Sequence, residues 1–87
     1  MNITFDPAKA SVNLKKHGIS FEEAATCLLD QMARVREDDD AVDEQRFVLL
    51  GMSIQARLLV VVYALRGEDV RIISARKPTK KEERDYA

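Results

Sequence analysis

The sequence has no tryptophan, one cysteine, one histidine, two prolines and three glycines among its 87 residues. Each shortage excludes something. The single Cys27 forms no internal disulfide, and in the apolar run between Thr26 and Leu28 it reads as a small core residue rather than a nucleophile. One thiol and a start unlike a signal peptide point to a reducing cytoplasm. One imidazole, one thiol and no carboxylates paired at ligand spacing offer no metal site, and no cofactor is implied. The glycines form no phosphate-cradling loop, and no Ser/His/Asp order suggests acyl transfer. The apolar run at residues 58–65 is far shorter than the roughly 20 residues needed to span a bilayer.

What is present is an ordinary globular balance, 46% hydrophobic and 33% charged, in a chain long enough for one small domain. The net charge of −1 conceals segregation. Residues 1–18 hold one acid against three lysines, and residues 19–46 hold nine acids against three arginines. Residues 47–87 hold eight basic against five acidic residues. If the two cationic ends meet in space, a basic patch forms on a protein that is acidic overall.

Punctuation and periodicity predict the elements. Ile3 and Phe5 suit a short edge strand. Asp6-Pro7 reads as an N-cap and first helical position, and Gly18 as the end of a helix running to about His17. Its narrow apolar stripe is Ala8, Val12 and Leu14, while Lys9, Asn13 and Lys16 share a polar face. Ser20 and Glu23 read as a capping box, with Ile19 as staple, for a helix ending near Asp30. A strand over residues 33–37 precedes an acidic hairpin loop at 37–45, which lacks the alternating ligands and central glycine of a calcium loop. Strands at 46–53, 57–65 and 70–75 follow, the middle one covered on both faces. Thr79 and Glu82 cap a final helix over 79–87. The fold class is α+β: a short strand, two helices, an antiparallel four-stranded meander and a C-terminal helix.

Residues 70–81 carry Arg71, Arg76, Lys77, Lys80 and Lys81 with no acid among them, around the break at Pro78. A strand end, a turn and a capped helix start in one cationic cluster can hold a phosphate; a final buried strand with its solvated cations would carry the same charges.

Two separated stretches carry a family resemblance. One is Phe5-Asp6-Pro7-Ala8-Lys9 with the run from Asn13 to Ala24; the other is Arg71-Ile72-Ile73-Ser74-Ala75-Arg76-Lys77-Pro78-Thr79 with Glu82, Glu83, Arg84 and Tyr86. Together they resemble the BrnT family of bacterial toxins over nearly the whole chain, the acidic loop being the weakest section. Phe5 stands where members often carry tryptophan. The resemblance implies a RelE-like fold and a cytoplasmic ribonuclease toxin that arrests translation. It also implies neutralisation by a BrnA-type antitoxin, commonly in a complex holding two toxin copies.

Metal-free RNA cleavage needs a base for the 2′-hydroxyl, cations for the phosphorane charge and an acid for the leaving 5′-oxygen. The sequence offers His17, the Lys/Arg set and Tyr86. His17, at a helix C-terminus, serves as general acid or base, or merely bonds a local carbonyl. Arg76 suits a bidentate phosphate clamp, with Arg71 or Lys77 in support and Lys80 in the same cluster. Arg71 and Arg76, five apart, point to opposite faces of a regular strand unless the chain bends near Pro78. Lys9 and Lys16 either join the patch or are solvated. Tyr86 stacks a base or donates a proton, as the resemblance to RelE-like toxins implies, or its ring covers a sheet edge. The rival to an enzyme is a catalytically silent module of the same fold that binds antitoxin or RNA. A DNA-binding regulator is disfavoured by the lack of a helix-turn-helix pattern.

Overall fold

Local signals set most boundaries. After β1 (Ile3–Phe5), Asp6 accepts from the Ala8 backbone N–H at 2.9 Å, Pro7 takes the first helical position, and Gly18 closes α1 (Pro7–His17) at φ 70°. Ser20 caps α2 (Phe21–Thr26), which tightens into a 3-10 turn at Cys27–Leu29. Strands β2 (Arg34–Glu37), β3 (Arg46–Met52), β4 (Leu58–Arg66) and β5 (Asp69–Arg76) follow, then α3 (Lys80–Asp85). Thr79 and Glu82 form a reciprocal capping box on α3, with bonds of 2.8 and 3.2 Å. This computed structural model describes residues 2–42 and 44–86; Asp43 of the acidic loop and Ala87, the expected end of the last helix, lie outside them.

The class is α+β, with one five-stranded sheet in the order β1-β5-β4-β3-β2. Strands β2 to β5 pair antiparallel in sequence order, and β1 adds in parallel beside Val70, Arg71 and Ile72 of β5. The sheet is therefore mixed and has one strand more than the expected meander. Phe5 gives β1 a reason to join, because its ring meets Phe21 edge-on at 5.4 Å. One sheet face carries the core: Ile19, Phe21, Ala24 and Cys27 from the helical layer pack on Leu49, Leu59, Val61, Ile72 and Ala75. Helix α3 lies over part of the opposite face, so Leu59, Val60 and Val61 of β4 are all buried. Gly51 lets the turn after α2 approach β3, since a Cβ there would sit 3.2 Å from the Cys27 carbonyl oxygen and 2.8 Å from Leu49 Cδ2.

Two expectations fail for the same reason, a side chain claimed by a distant partner. Val12 and Leu14 are exposed at 63% and 51%, and the buried residue of α1 is Asn13. Beyond Ile72 no strand among the described residues lies beside the outer edge of β5, and Asn13 substitutes for one. Its Nδ2 donates to the carbonyls of Ala75 and Ile19 at 2.9 and 3.1 Å, and its Oδ1 accepts from the Ala75 N–H at 3.2 Å. At α2, Ser20 accepts from the Glu23 N–H, but the Glu23 carboxylate does not complete the box. It is buried and bound by Arg57 and by the Ser53 hydroxyl, which tie the β3–β4 turn to α2.

Candidate active site

The register of β5 decides which cations share a surface. Val62 faces Ser74 and Tyr63 faces Ile72, so Ile73 is an extra residue in β5, a bulge. Side chains alternate faces along a strand, and one extra residue inverts the alternation beyond it. Arg76 lies opposite Val60, and Arg71 opposite Ala64, four residues along β4. Arg71 and Arg76 therefore share the face away from the helical core. The expected separation is overturned by this bulge inside β5, with no need of a bend near Pro78.

Three rows cross that open face. The first is Arg34, Leu50, Val60 and Arg76, covered by α3; the second is Arg36, Val48, Val62 and Ser74; the third is Arg46, Ala64 and Arg71. A cleft of about 150 Å³ lies between the sheet and α3, lined by Arg34, Arg36, Val48 and Leu50 with Glu82 and Asp85. On the edge side of β5, Lys9, Val12, Lys16 and His17 of α1 line a groove of about 360 Å³ with Ile73 and Ser74. Ser74 belongs to both places, so groove and open face adjoin across the bulge.

The cations differ in how far they are already engaged. The Arg76 guanidinium binds both Glu82 oxygens, at 2.8 and 2.9 Å, and the Lys77 carbonyl at 3.2 Å. That bidentate pair raises the Arg76 pKa and holds the Glu82 carboxyl down at about 2. Arg46 and Arg66 both bind Glu44. Arg34 Nε donates to the Asp85 carbonyl at 3.0 Å. Among the described residues, Arg36 and Arg71 form no ion pair.

The expected residues thus fall into three places. Arg71 and Arg76 lie on the open face of β5, and Lys77 and Lys80 are exposed at the corner leading to α3. His17, Lys9 and Lys16 come together in the edge groove. Tyr86 is apart from both. Its hydroxyl donates to Asp30 Oδ2 at 2.6 Å, and that carboxylate also accepts from the backbone N–H groups of Met32 and Met52. The Tyr86 bond, with those two, lowers the Asp30 pKa, and the same carboxylate raises that of the phenol. Cys27 is buried, and desolvation pushes its thiol up to about 11, as suits a core residue. Sequence reasoning missed Asn13, Ser74, Arg34 and Arg36. The Arg-Val-Arg alternation of β2 was the available signal for the last two.

Residues 5–82 match the model of a family described as the ribonuclease toxin, BrnT, of type II toxin–antitoxin systems. The match spans 78 of the 87 residues. The chain belongs to the BrnT toxin family. It is accordingly a ribonuclease toxin of a type II toxin–antitoxin system. The crystal structure of the Brucella abortus ribonuclease toxin, BrnT, superposes with a TM-score of 0.71 at 24% identity. The alignment covers 92% of this chain and 99% of that one, a likeness that speaks to fold. No curated protein sequence matches the chain. Both BrnT-like stretches lie largely inside the matched span, with Arg71, Arg76, His17, Lys9 and Lys16; Tyr86 lies beyond it.

Proposed function

We propose that this BrnT chain is a metal-independent endoribonuclease of RelE-like fold whose active site straddles the β5 bulge. Arg71 and Arg76 stabilise the charge that develops on the scissile phosphate, and His17, with Lys9 or Lys16, moves protons. The 2′-hydroxyl loses its proton and attacks phosphorus; the P–O5′ bond breaks and the 5′-oxygen is protonated. The products are a 2′,3′-cyclic phosphate and a 5′-hydroxyl. The carrying observation is the continuity at Ser74, which makes the edge groove and the open face one surface. Guanidinium groups suit the phosphorane because they stay charged and donate in pairs. Lys77 and Lys80 attract the backbone of the substrate, and Tyr86 offers it a ring at the far end. In the cell the partner is a BrnA-type antitoxin in the cytoplasm, with two toxin copies in the complex.

The rival reading, a silent module that binds antitoxin or RNA, draws on one observation: Glu82 already occupies the Arg76 guanidinium. Induction of the chain with and without its antitoxin separates the two. Growth arrest with RNA loss, relieved by the antitoxin, supports the enzyme; soluble expression without arrest supports the silent module. Purified protein should cut RNA in excess chelator and leave cyclic phosphate ends, and Arg71→Ala should lower the rate about 100-fold or more. A variant that keeps the wild-type rate refutes the assignment of Arg71.

A further inference from the structure

The open face has two sides, and Arg71, Ser74 and Arg76 sit on one of them. The other is the edge strand β2. Its four residues are exposed, and its pairing with β3 puts Arg34 opposite Leu50 and Arg36 opposite Val48. Following the register across the sheet, Arg36 and Ser74 end the same row, with Val48 and Val62 between them. Four strands at about 4.8 Å spacing separate these ends by roughly 14 Å. The floor is apolar and β-branched, and Arg71 lies one row farther along beside Ala64.

Charge distinguishes this row from its neighbours. In the row under α3, Arg76 is taken by Glu82, and Arg34 bonds the Asp85 carbonyl with Asp85 itself lining the cleft. In the row beyond, Arg46 is taken by Glu44. Among the described residues Arg36 bonds only the carbonyl of its neighbour Glu37, at 3.3 Å, and leaves most of its guanidinium hydrogens available.

We propose that the open face is a trough for single-stranded RNA and that Arg36 is a phosphate-binding residue on its far rim. The strand crosses the sheet perpendicular to the β-strands, from Arg71 and Ser74 to Arg36, with Arg34 assisting at the α3 end. This rests on the ribonuclease reading for the identity of the substrate. The geometry suits a chain of a few nucleotides: cations at both ends take phosphates, and the Val48–Val62 floor takes a base or ribose face. The alternative is that Arg34 and Arg36 only keep an exposed sheet edge from pairing with other strands.

The test is direct binding of a 2′-O-methyl RNA oligonucleotide, which cannot be cleaved because its nucleophile is capped, measured over a series of salt concentrations. Arg36→Gln is compared with wild type and with Lys15→Gln, which removes one charge from the exposed side of α1. Arg36→Gln should weaken binding roughly five- to tenfold, the size of one exposed charge-assisted contact. The slope of log affinity against log salt should shrink by about 0.7, the value for one lost phosphate on a single strand. An unchanged slope and affinity in Arg36→Gln overturns the proposal, as does an equal loss in Lys15→Gln. Failure of the wild-type protein to bind the oligonucleotide overturns it too. Greater self-association of Arg36→Gln with unchanged RNA binding assigns the arginine to edge protection instead. Parallel assays on the unmodified RNA keep the two readings apart. Binding without cleavage defeats the ribonuclease reading and leaves the trough standing, whereas cleavage that Arg36→Gln does not touch defeats the trough alone.

Discussion

Helix α1 and helix α3 both lean on β5, α1 along its outer edge through Asn13 and α3 at its end through Glu82. The α1 contact is buried: one amide satisfies both backbone groups of Ala75 and the carbonyl of Ile19. The α3 contacts are only partly buried. None of its residues is buried, and it is held by the Arg76–Glu82 pair, by Arg34 on the Asp85 carbonyl and by Tyr86 on Asp30. Buried polar groups that lose a partner incur the desolvation cost, whereas exposed ion pairs contribute little. Burial, more than charge or the number of bonds, therefore sets how firmly each side of β5 is held. The α1 side is firmly anchored at Asn13, and the α3 side can be altered with little loss of stability.

Asn13→Asp should have the largest effect on stability. The substitution is nearly isosteric, but it turns two donated bonds into a carboxylate facing two carbonyls. We expect a loss of about 3 kcal/mol or more in urea unfolding, from at least two unsatisfied or repelling contacts. A loss below that of Glu82→Gln would reverse the ranking of the two sides.

Glu23 tests whether burial or charge is responsible, because it is both buried and ionised. Its carboxyl is held below the ordinary range chiefly by the hydrogen bond from Arg57, against the opposing effect of burial. Glu23→Gln should cost about 2 kcal/mol, less than a fully buried pair, because the released Arg57 side chain is 37% exposed and meets water. Arg57→Ala should cost more than Glu23→Gln, since it strands the buried carboxylate. The sign with pH follows from the lowered pKa. The stabilisation is complete above the unfolded value of about 4.5 and is lost as pH falls below it. Acid titration of stability in Glu23→Gln should accordingly be shallower than in wild type.

Glu82→Gln comes next, with an expected loss of about 1 kcal/mol, discounted because Arg76 is 40% exposed. With the Glu82 carboxyl at about 2, its contribution persists below pH 4.5 and disappears as pH approaches 2. The same substitution releases the Arg76 guanidinium, so RNA affinity should rise while stability falls. A fall in both would mean that Glu82 positions Arg76 for substrate and does not mask it.

These contrasts also explain what could be read from the sequence. The ends of α1, the cap of α3 and the covered middle of β4 follow from neighbours in the chain, and Asp6-Pro7, Gly18, Thr79 with Glu82, and residues 58–62 announced them. Asn13 could not be read that way, because its partner Ala75 is 62 residues distant and an asparagine among lysines looks like solvated helix. The Ser20–Glu23 box was half right: the local bond forms, and a distant arginine takes the other. The bulge at Ile73 has no glycine or proline to mark it, yet it brings Arg71 and Arg76 onto one face. Arg34 and Arg36 were legible as an alternating pair, but a four-residue strand becomes part of a site only when its neighbour β3 is known.

Tyr86 should give the smallest effect and the most selective one. Its hydroxyl adds one bond to an Asp30 carboxylate that already accepts from two backbone N–H groups, so Tyr86→Phe leaves Asp30 supported. Thermal unfolding should therefore barely move. The ring remains, and a residue that meets RNA by stacking keeps its function when the hydroxyl is lost. Cleavage by Tyr86→Phe should stay within about twofold of wild type, while Tyr86→Ala should lose several-fold through weaker substrate binding. If Tyr86→Phe loses as much as Tyr86→Ala at unchanged stability, the phenol is a proton donor. The Asp30 bond would then have to break during turnover, and α3 would be part of the reaction cycle.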